Sequence, residues 1–174
     1  MVNQSNNIFL IGPMASGKTT IGKKLAKSLE INFIDIDLEI EKQLGAEISW
    51  IFDIEGEKKF RERENEMLKK VCQEQDCIIS TGGGVVIRKD NRKLLKDSGL
   101  AVYLEASVQT QLERTLLDKS RPLLDSEDKE SILRDLKEQR EPLYREVANI
   151  TIKEGKRSHN DILHEILKKI KKYK

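Results

Sequence analysis

Apolar residues along this chain fall into two alternating kinds of run. Ile8-Phe9-Leu10-Ile11, Cys77-Ile78-Ile79-Ser80, Leu100-Ala101-Val102-Tyr103-Leu104 and Ala148-Asn149-Ile150-Thr151-Ile152 are short and nearly unbroken, and Ile31-Asn32-Phe33-Ile34-Asp35 is a variant ending in acid. Runs of this length predict strands, and continuous apolar character predicts burial on both faces, as in a parallel sheet. Between them apolar residues recur every three or four positions. Ile21, Leu25 and Leu29 predict a helix over about 18–30, and a second helix over 38–44 stops at Gly45. Ile48-Ser49-Trp50-Ile51-Phe52 predicts a short helix, and after Glu55-Gly56-Glu57 comes a long charged one in which Phe60, Met67, Leu68 and Val71 share a face. Further helices are predicted over 90–96, around Val108, Leu112 and Leu116, and along the stripe Ile132, Leu136, Leu143 and Val147. The last helix opens on Ser158-His159-Asn160-Asp161, which has capping-box spacing with Asp in place of Glu, and buries Ile162, Leu163, Ile166, Leu167 and Ile170. Five strands alternating with helices make one three-layer α/β domain over 1–174, with a parallel sheet and helices on both faces.

The chemistry sits at the carboxyl ends of the strands, where open parallel sheets bind ligands. The first strand runs into Gly12-Pro13-Met14-Ala15-Ser16-Gly17-Lys18-Thr19, the G-x-x-x-x-G-K-T phosphate loop, between a strand and a helix as that motif requires. Its backbone N–H groups and the helix N-terminus suit an anion, Lys18 can reach β/γ-phosphates, and the Thr19 hydroxyl can face Mg²⁺. Asp35 and Asp37 follow the second strand. In extended chain two such carboxylates point to opposite sides, so either they divide their work between Mg²⁺ and substrate or they are a helix cap and a surface acid. Arg61 and Glu64, three apart beside the apolar stripe, are either a rim salt bridge or an arginine held by its glutamate to meet an anion. Thr81-Gly82-Gly83-Gly84 ends the third strand, and three glycines in succession imply that something approaches the backbone closely. Arg140 falls on an inward helical stripe, where a charge needs a partner, and Pro142 should kink or tighten that helix. The segment 117–129, polar between two helices and carrying Arg121-Pro122, reads as a lid.

A formal net charge of +2 and 5% aromatics over 174 residues argue against a nucleic-acid-stimulated NTPase. No apolar run approaches the ~20 residues of a membrane span, and no basic-then-apolar leader opens the chain, so a cytoplasmic location is expected. Cys72 and Cys77 are expected as free thiols, His159 and His164 as surface residues of a charged helix, and the C-terminal lysines as a solvated helix end. The competing functions are another small-molecule kinase on this fold, such as a gluconate or nucleotide kinase, and a nucleotide-binding regulatory module without kinase chemistry.

Taken together, the phosphate loop, Phe33-Ile34-Asp35-Ile36-Asp37, Phe60-Arg61 with Glu64, Thr81-Gly82-Gly83-Gly84, Arg121-Pro122-Leu123-Leu124, and Arg140 with Tyr144 resemble the shikimate kinases over nearly the whole length. The resemblance implies a nucleoside-monophosphate-kinase-like fold of sheet order 2-3-1-4-5. It also implies transfer of the γ-phosphate of the co-substrate ATP, with Mg²⁺, to the 3-hydroxyl of shikimate; a compact single domain with no obvious exposed apolar helix is itself expected to be a monomer, and the near-neutral charge and lack of a long apolar run to leave it without nucleic-acid or membrane partners. By the same resemblance Gly12, Ala15, Ser16, Gly17, Lys18, Thr19, Thr20, Arg114 and Arg121 serve the nucleotide, Arg114 against the adenine, and Thr19 and Asp35 serve the metal. Asp37, Arg61, Gly82, Gly83, Gly84 and Arg140 serve shikimate, largely from the region 37–64, with Phe52 and Phe60 walling its ring. Lys18, Asp37 and Arg121 carry the catalysis. No residue of Lys153-Glu154-Gly155-Lys156-Arg157 is assigned to the second side of the adenine.

Overall fold

The computed structural model describes residues 6–116, 128–153, 155 and 157–173. The lid expected at 117–129 lies outside them except for its last two residues, and Arg121 lies outside them altogether. Five parallel strands, β1 (Ile8–Ile11), β2 (Asn32–Asp35), β3 (Cys77–Ser80), β4 (Leu100–Glu105) and β5 (Ile150–Lys153), form one sheet in the order β2-β3-β1-β4-β5. This is the order that the resemblance implies. The helices are α1 (Lys18–Leu29), α2 (Ile36–Leu44), α3 (Ile48–Val71), α4 (Lys89–Ser98), α5 (Val108–Thr115), α6 (Lys129–Val147) and α7 (His159–Tyr173). None of them is long and apolar enough to cross a membrane.

Strand alternation divides the interior into two cores. Phe9 and Ile11 of β1, Ile79 of β3 and Tyr103 of β4 face one way, onto α2, α3, α4 and α6, through Ile40, Leu68, Leu95 and Val147. Ile8, Leu10, Ile78 and Val102 face the other way, onto α1 and α7, through Ile21, Leu25, Ile162, Ile166 and Ile170. Because both faces are covered, the central strands need apolar residues at every position, which is why they read as unbroken runs.

Several local expectations are corrected. Asp37 is not in extended chain but is the second residue of α2, so it and Asp35 differ because one ends a strand and the other starts a helix. The α3 segment continues past Gly56, whose φ of 81° and ψ of 167° set a kink between the short and long helices expected there. In α5 the fully buried side chains are Gln111 and Thr115, while Leu116 is 62% exposed, so the apolar stripe is not the inward face. In α6 Leu133 takes the buried place expected of Ile132, and the helix runs on through Pro142. The capping box of α7 forms: Ser158 Oγ accepts from the Asp161 N–H at 3.1 Å, and the Asp161 carboxylate accepts from the Ser158 N–H at 3.3 Å.

Candidate active site

The phosphate loop is held open by its own backbone. Gly12 has φ 147°, and a methyl group there would lie 2.4 Å from the Leu104 carbonyl oxygen, so no side chain fits. Ala15 (φ 60°) and Gly17 (φ 86°) are left-handed, a strained state for alanine of the kind that concentrates at ligand sites. The first amides of α1, from Lys18 to Thr20, have no intrahelical acceptor and point their N–H groups at the loop, a ready anion site. Lys18 Nζ donates to the carbonyls of Gly12 at 2.9 Å and Pro13 at 2.8 Å, positions from which an anion in the loop would draw it. A cleft of about 340 Å³ in front of the loop is lined by Ala15, Gly17, Lys18, Thr19, Thr20 and Arg114 among others, whereas Gly12 and Ser16 do not line it. Arg114 donates to the Ala15 carbonyl at 2.8 Å, which ties α5 to the loop. Thr19 Oγ1 donates to Asp35 Oδ2 at 2.8 Å, and the other Asp35 oxygen caps α2 by accepting from the Leu38 N–H. Asp35 is therefore a helix cap that also faces the cleft.

A second cleft, of about 500 Å³, adjoins the first. Asp37, Arg61, Gly82, Gly83, Gly84 and Arg140 all line it, with Phe52 and Phe60 on one wall. Thr19, Asp35, Asp37 and Gly83 belong to both clefts, so the two spaces meet beside the phosphate loop. Arg61 is not at a rim: it is 9% exposed and Glu64 is 0% exposed, with Nη1 donating to Glu64 Oε2 at 2.9 Å and Nη2 to Glu57 Oε1 at 3.1 Å. Its guanidinium lies 5.2 Å from the centre of the Phe60 ring. The triple glycine is explained by crowding. A methyl group on Gly84 would lie 2.3 Å from Arg61 Cζ, and one on Gly82 would lie 2.6 Å from Glu64 Oε1 and 3.0 Å from Asp37 Oδ1. The buried Glu64 Oε1 has no hydrogen-bond partner among the described residues, and it lies with Asp37 Oδ1 against Gly82.

Burial pushes the Glu64 carboxyl up, and Arg61 pulls against it. For Arg61, burial acts to lower the guanidinium, but Glu64 and Glu57 outweigh it and hold it above its ordinary value. Arg140 is 6% exposed and has no carboxylate within ion-pair distance among the described residues; its neighbour is the phenol of Tyr144. Burial raises that phenol to about 12, with Arg140 pulling it back, and burial raises Tyr103 as well. Unfolded tyrosines ionise near 10, so stability from these phenols is complete below pH ~10 and is lost as pH climbs through the folded value. Melting temperature should therefore fall between pH about 10 and about 12, and less steeply in Tyr144→Phe; identical alkaline profiles for variant and wild type would contradict this.

A family model described as "Shikimate kinase" matches residues 14–171. The shikimate kinase of Pseudomonas paraeruginosa is 48% identical over 166 residues, covering 95% of this chain and 96% of its own. The chain belongs to the shikimate kinase family. A second family member, from Thioalkalivibrio sulfidiphilus, is 49% identical over 165 residues, covering 95% of this chain and 87% of its own. The solved shikimate kinase from Acinetobacter baumannii in complex with shikimate has a TM-score of 0.95 and 46% identity, covering 98% of this chain and 95% of that one.

Against this family background, one cleft residue and two residues beside the cleft arginines escaped the sequence reading. His159, expected on the surface, lines the first cleft with Arg114. The signal was its place just past the carboxyl end of β5, the edge where parallel sheets bind ligands. Glu57, the second carboxylate on Arg61, was legible from its spacing of four. Tyr144 was part of a motif but had no assigned role. Cys72 and Cys77 are free thiols, as expected.

Proposed function

We propose that this member of the shikimate kinase family binds ATP in the cleft before the phosphate loop and shikimate in the adjoining one, and transfers the γ-phosphoryl group to the 3-hydroxyl, giving shikimate 3-phosphate and ADP. The observation that carries the reading is the shared wall of the two clefts, which includes Thr19, Asp35 and Asp37, with Lys18 lining the first cleft and two buried arginines lining the second. A small polyol acid needs a cation for its carboxylate and acceptors for its hydroxyls, and this cleft supplies both. Lys18 leaves its loop carbonyls for the β/γ-phosphates, and the α1 amides hold the same anion. Asp37 accepts the hydrogen bond of the attacking hydroxyl and then its proton, Arg61 and Arg140 grip the carboxylate, and Phe52 and Phe60 wall the ring. Arg114 and His159 flank the base, and Arg121, which lies outside the described residues, serves the transferring group.

Mg²⁺ fits the donor set: the Thr19 hydroxyl and the Asp35 carboxylate are hard oxygens 2.8 Å apart at the shared wall. Among the described residues no group of three or more acidic, His or Cys side chains could hold a metal. When bound, the ion neutralises charge on the phosphate oxygens. The reading includes a cytoplasmic monomer that needs neither nucleic acid nor membrane.

A coupled ADP-release assay tests the function. Release should depend on shikimate and not on gluconate or a nucleoside monophosphate, and equal turnover with either alternative overturns the assignment. Arg140→Lys keeps the charge but loses the planar fork, so the shikimate KM should rise about 10-fold or more, in line with the loss of one charge-assisted bond, while the ATP KM stays put. If instead both KM values move together and the melting temperature drops, Arg140 is structural.

A further inference from the structure

We propose that Tyr144 is a positioning residue of the acceptor site, whose phenol ties the Gly83 backbone to Arg140 and so fixes the guanidinium that takes the substrate carboxylate. The inference rests on the reading of Arg140 given above. Tyr144 lies one helical turn after Arg140 on α6, so both side chains project from one face into the same interior. Its ring is 2% exposed and stacked on Tyr103 of β4, with centres 5.1 Å apart and planes 21° apart, so the phenol has little freedom to turn. The O–H donates to the Gly83 carbonyl oxygen. A phenol has one proton to give; with that proton on Gly83, its oxygen is left to accept, and the Arg140 guanidinium is its hydrogen-bonding neighbour. Arg140 Nη1 also lies 3.7 Å from where a methyl group on Gly83 would stand, so loop, phenol and guanidinium form one contact chain.

What this chain supplies is order. Arg61 is held by two carboxylates, but Arg140 has none among the described residues. Its fork would otherwise sample several rotamers, and substrate would have to select one at a cost in affinity. The hydroxyl of Tyr144 removes that choice before substrate arrives, and because its other end is the Gly83 carbonyl, it sets the arginine relative to the glycine wall of the same cleft. Burial keeps this phenol protonated through the neutral range, so it remains a donor.

The test is Tyr144→Phe, assayed with shikimate and with a neutral analogue in which a hydroxymethyl group replaces the carboxylate. The shikimate KM should rise about 5- to 10-fold, the gain expected from one pre-ordered side chain and its hydrogen bond, with the ATP KM unchanged and the analogue's affinity unaltered. Tyr103→Phe, which alters the other ring of the stack, should leave the shikimate KM alone. Tyr144→4-aminophenylalanine, which restores a donor to Gly83 on the same ring but is a poor acceptor for the guanidinium, should not recover the loss. If Tyr144→Phe folds poorly, 3-fluorotyrosine at 144 keeps the ring while its oxygen accepts less well, and the same selective loss is required of it. An unchanged shikimate KM, or an equal loss for shikimate and the neutral analogue, makes Tyr144 a packing residue and overturns the inference. Arg140→Lys separates the two levels: if it leaves the shikimate KM unchanged, the reading of Arg140 itself fails, whereas a rise there with none in Tyr144→Phe refutes only the role of the phenol.

Discussion

Replacing Asp37 by Asn is expected to lower kcat for shikimate phosphorylation by ~10²–10⁴-fold, the range for loss of a general base, while the fold and ATP affinity are kept. The side chain starts from the second residue of α2 and reaches the point where the two clefts meet. Its Oδ1 lies 3.0 Å and its Oδ2 3.6 Å from the methyl position on Gly82, so both oxygens face the glycine wall. Asparagine has the same shape and tolerates a first helical turn, but its amide can neither take a proton nor present two acceptors to neighbouring hydroxyls. The measurements are kcat by coupled ADP release, nucleotide affinity by calorimetry, and the melting temperature. Turnover within a fewfold of wild type would remove Asp37 from the chemistry, and lost ATP affinity would move it to the nucleotide side.

Asp37 also shows how far the sequence could be read. Its placement near the phosphate loop followed from its position just after a strand, because parallel strands bring their carboxyl ends to one edge. Its orientation did not follow, since the strand ends at Asp35 and alternation stops applying there. Lys18, Asp35, Arg61 and the glycines were legible for the same reason: each lies next to a strand end or on a clear helical stripe. The α5 face was not legible, because Gln111 and Thr115 are buried against the interior while Leu116 is left exposed, and pattern alone gives a buried polar residue no signal. The Arg61–Glu64 pair was ambiguous because spacing says that two side chains meet but not whether water reaches them. That depended on α4 and the glycine loop packing over α3, contacts between residues far apart in sequence.

Gly84→Ala should disturb that pair through a single methyl group. The new carbon would lie 2.3 Å from Arg61 Cζ, Nη1 and Nη2, a separation that atoms do not tolerate. Arg61 is the far end of a long side chain and can move, but every route outward leaves Glu64, 0% exposed, without the cation 2.9 Å from it. Breaking a buried pair from one side costs about 3–5 kcal/mol, an upper guide here because Arg61 is displaced and not removed. The melting temperature should therefore fall, and the shikimate KM should rise about 10-fold or more through loss of a charge-assisted contact, whereas the ATP KM should hardly change because Gly84 lines only the second cleft. The pH dependence has a definite sign. Burial already raises Glu64 above its ordinary value, and without Arg61 pulling against burial the folded-state value climbs further above that of the unfolded chain. A group raised in this way gives stability in full below its unfolded value and loses it as pH rises through the folded one, so the deficit of Gly84→Ala relative to wild type should shrink toward acid pH and widen toward neutrality. A deficit independent of pH would place the damage in the loop backbone, and an unchanged shikimate KM would mean that Arg61 does not touch the substrate.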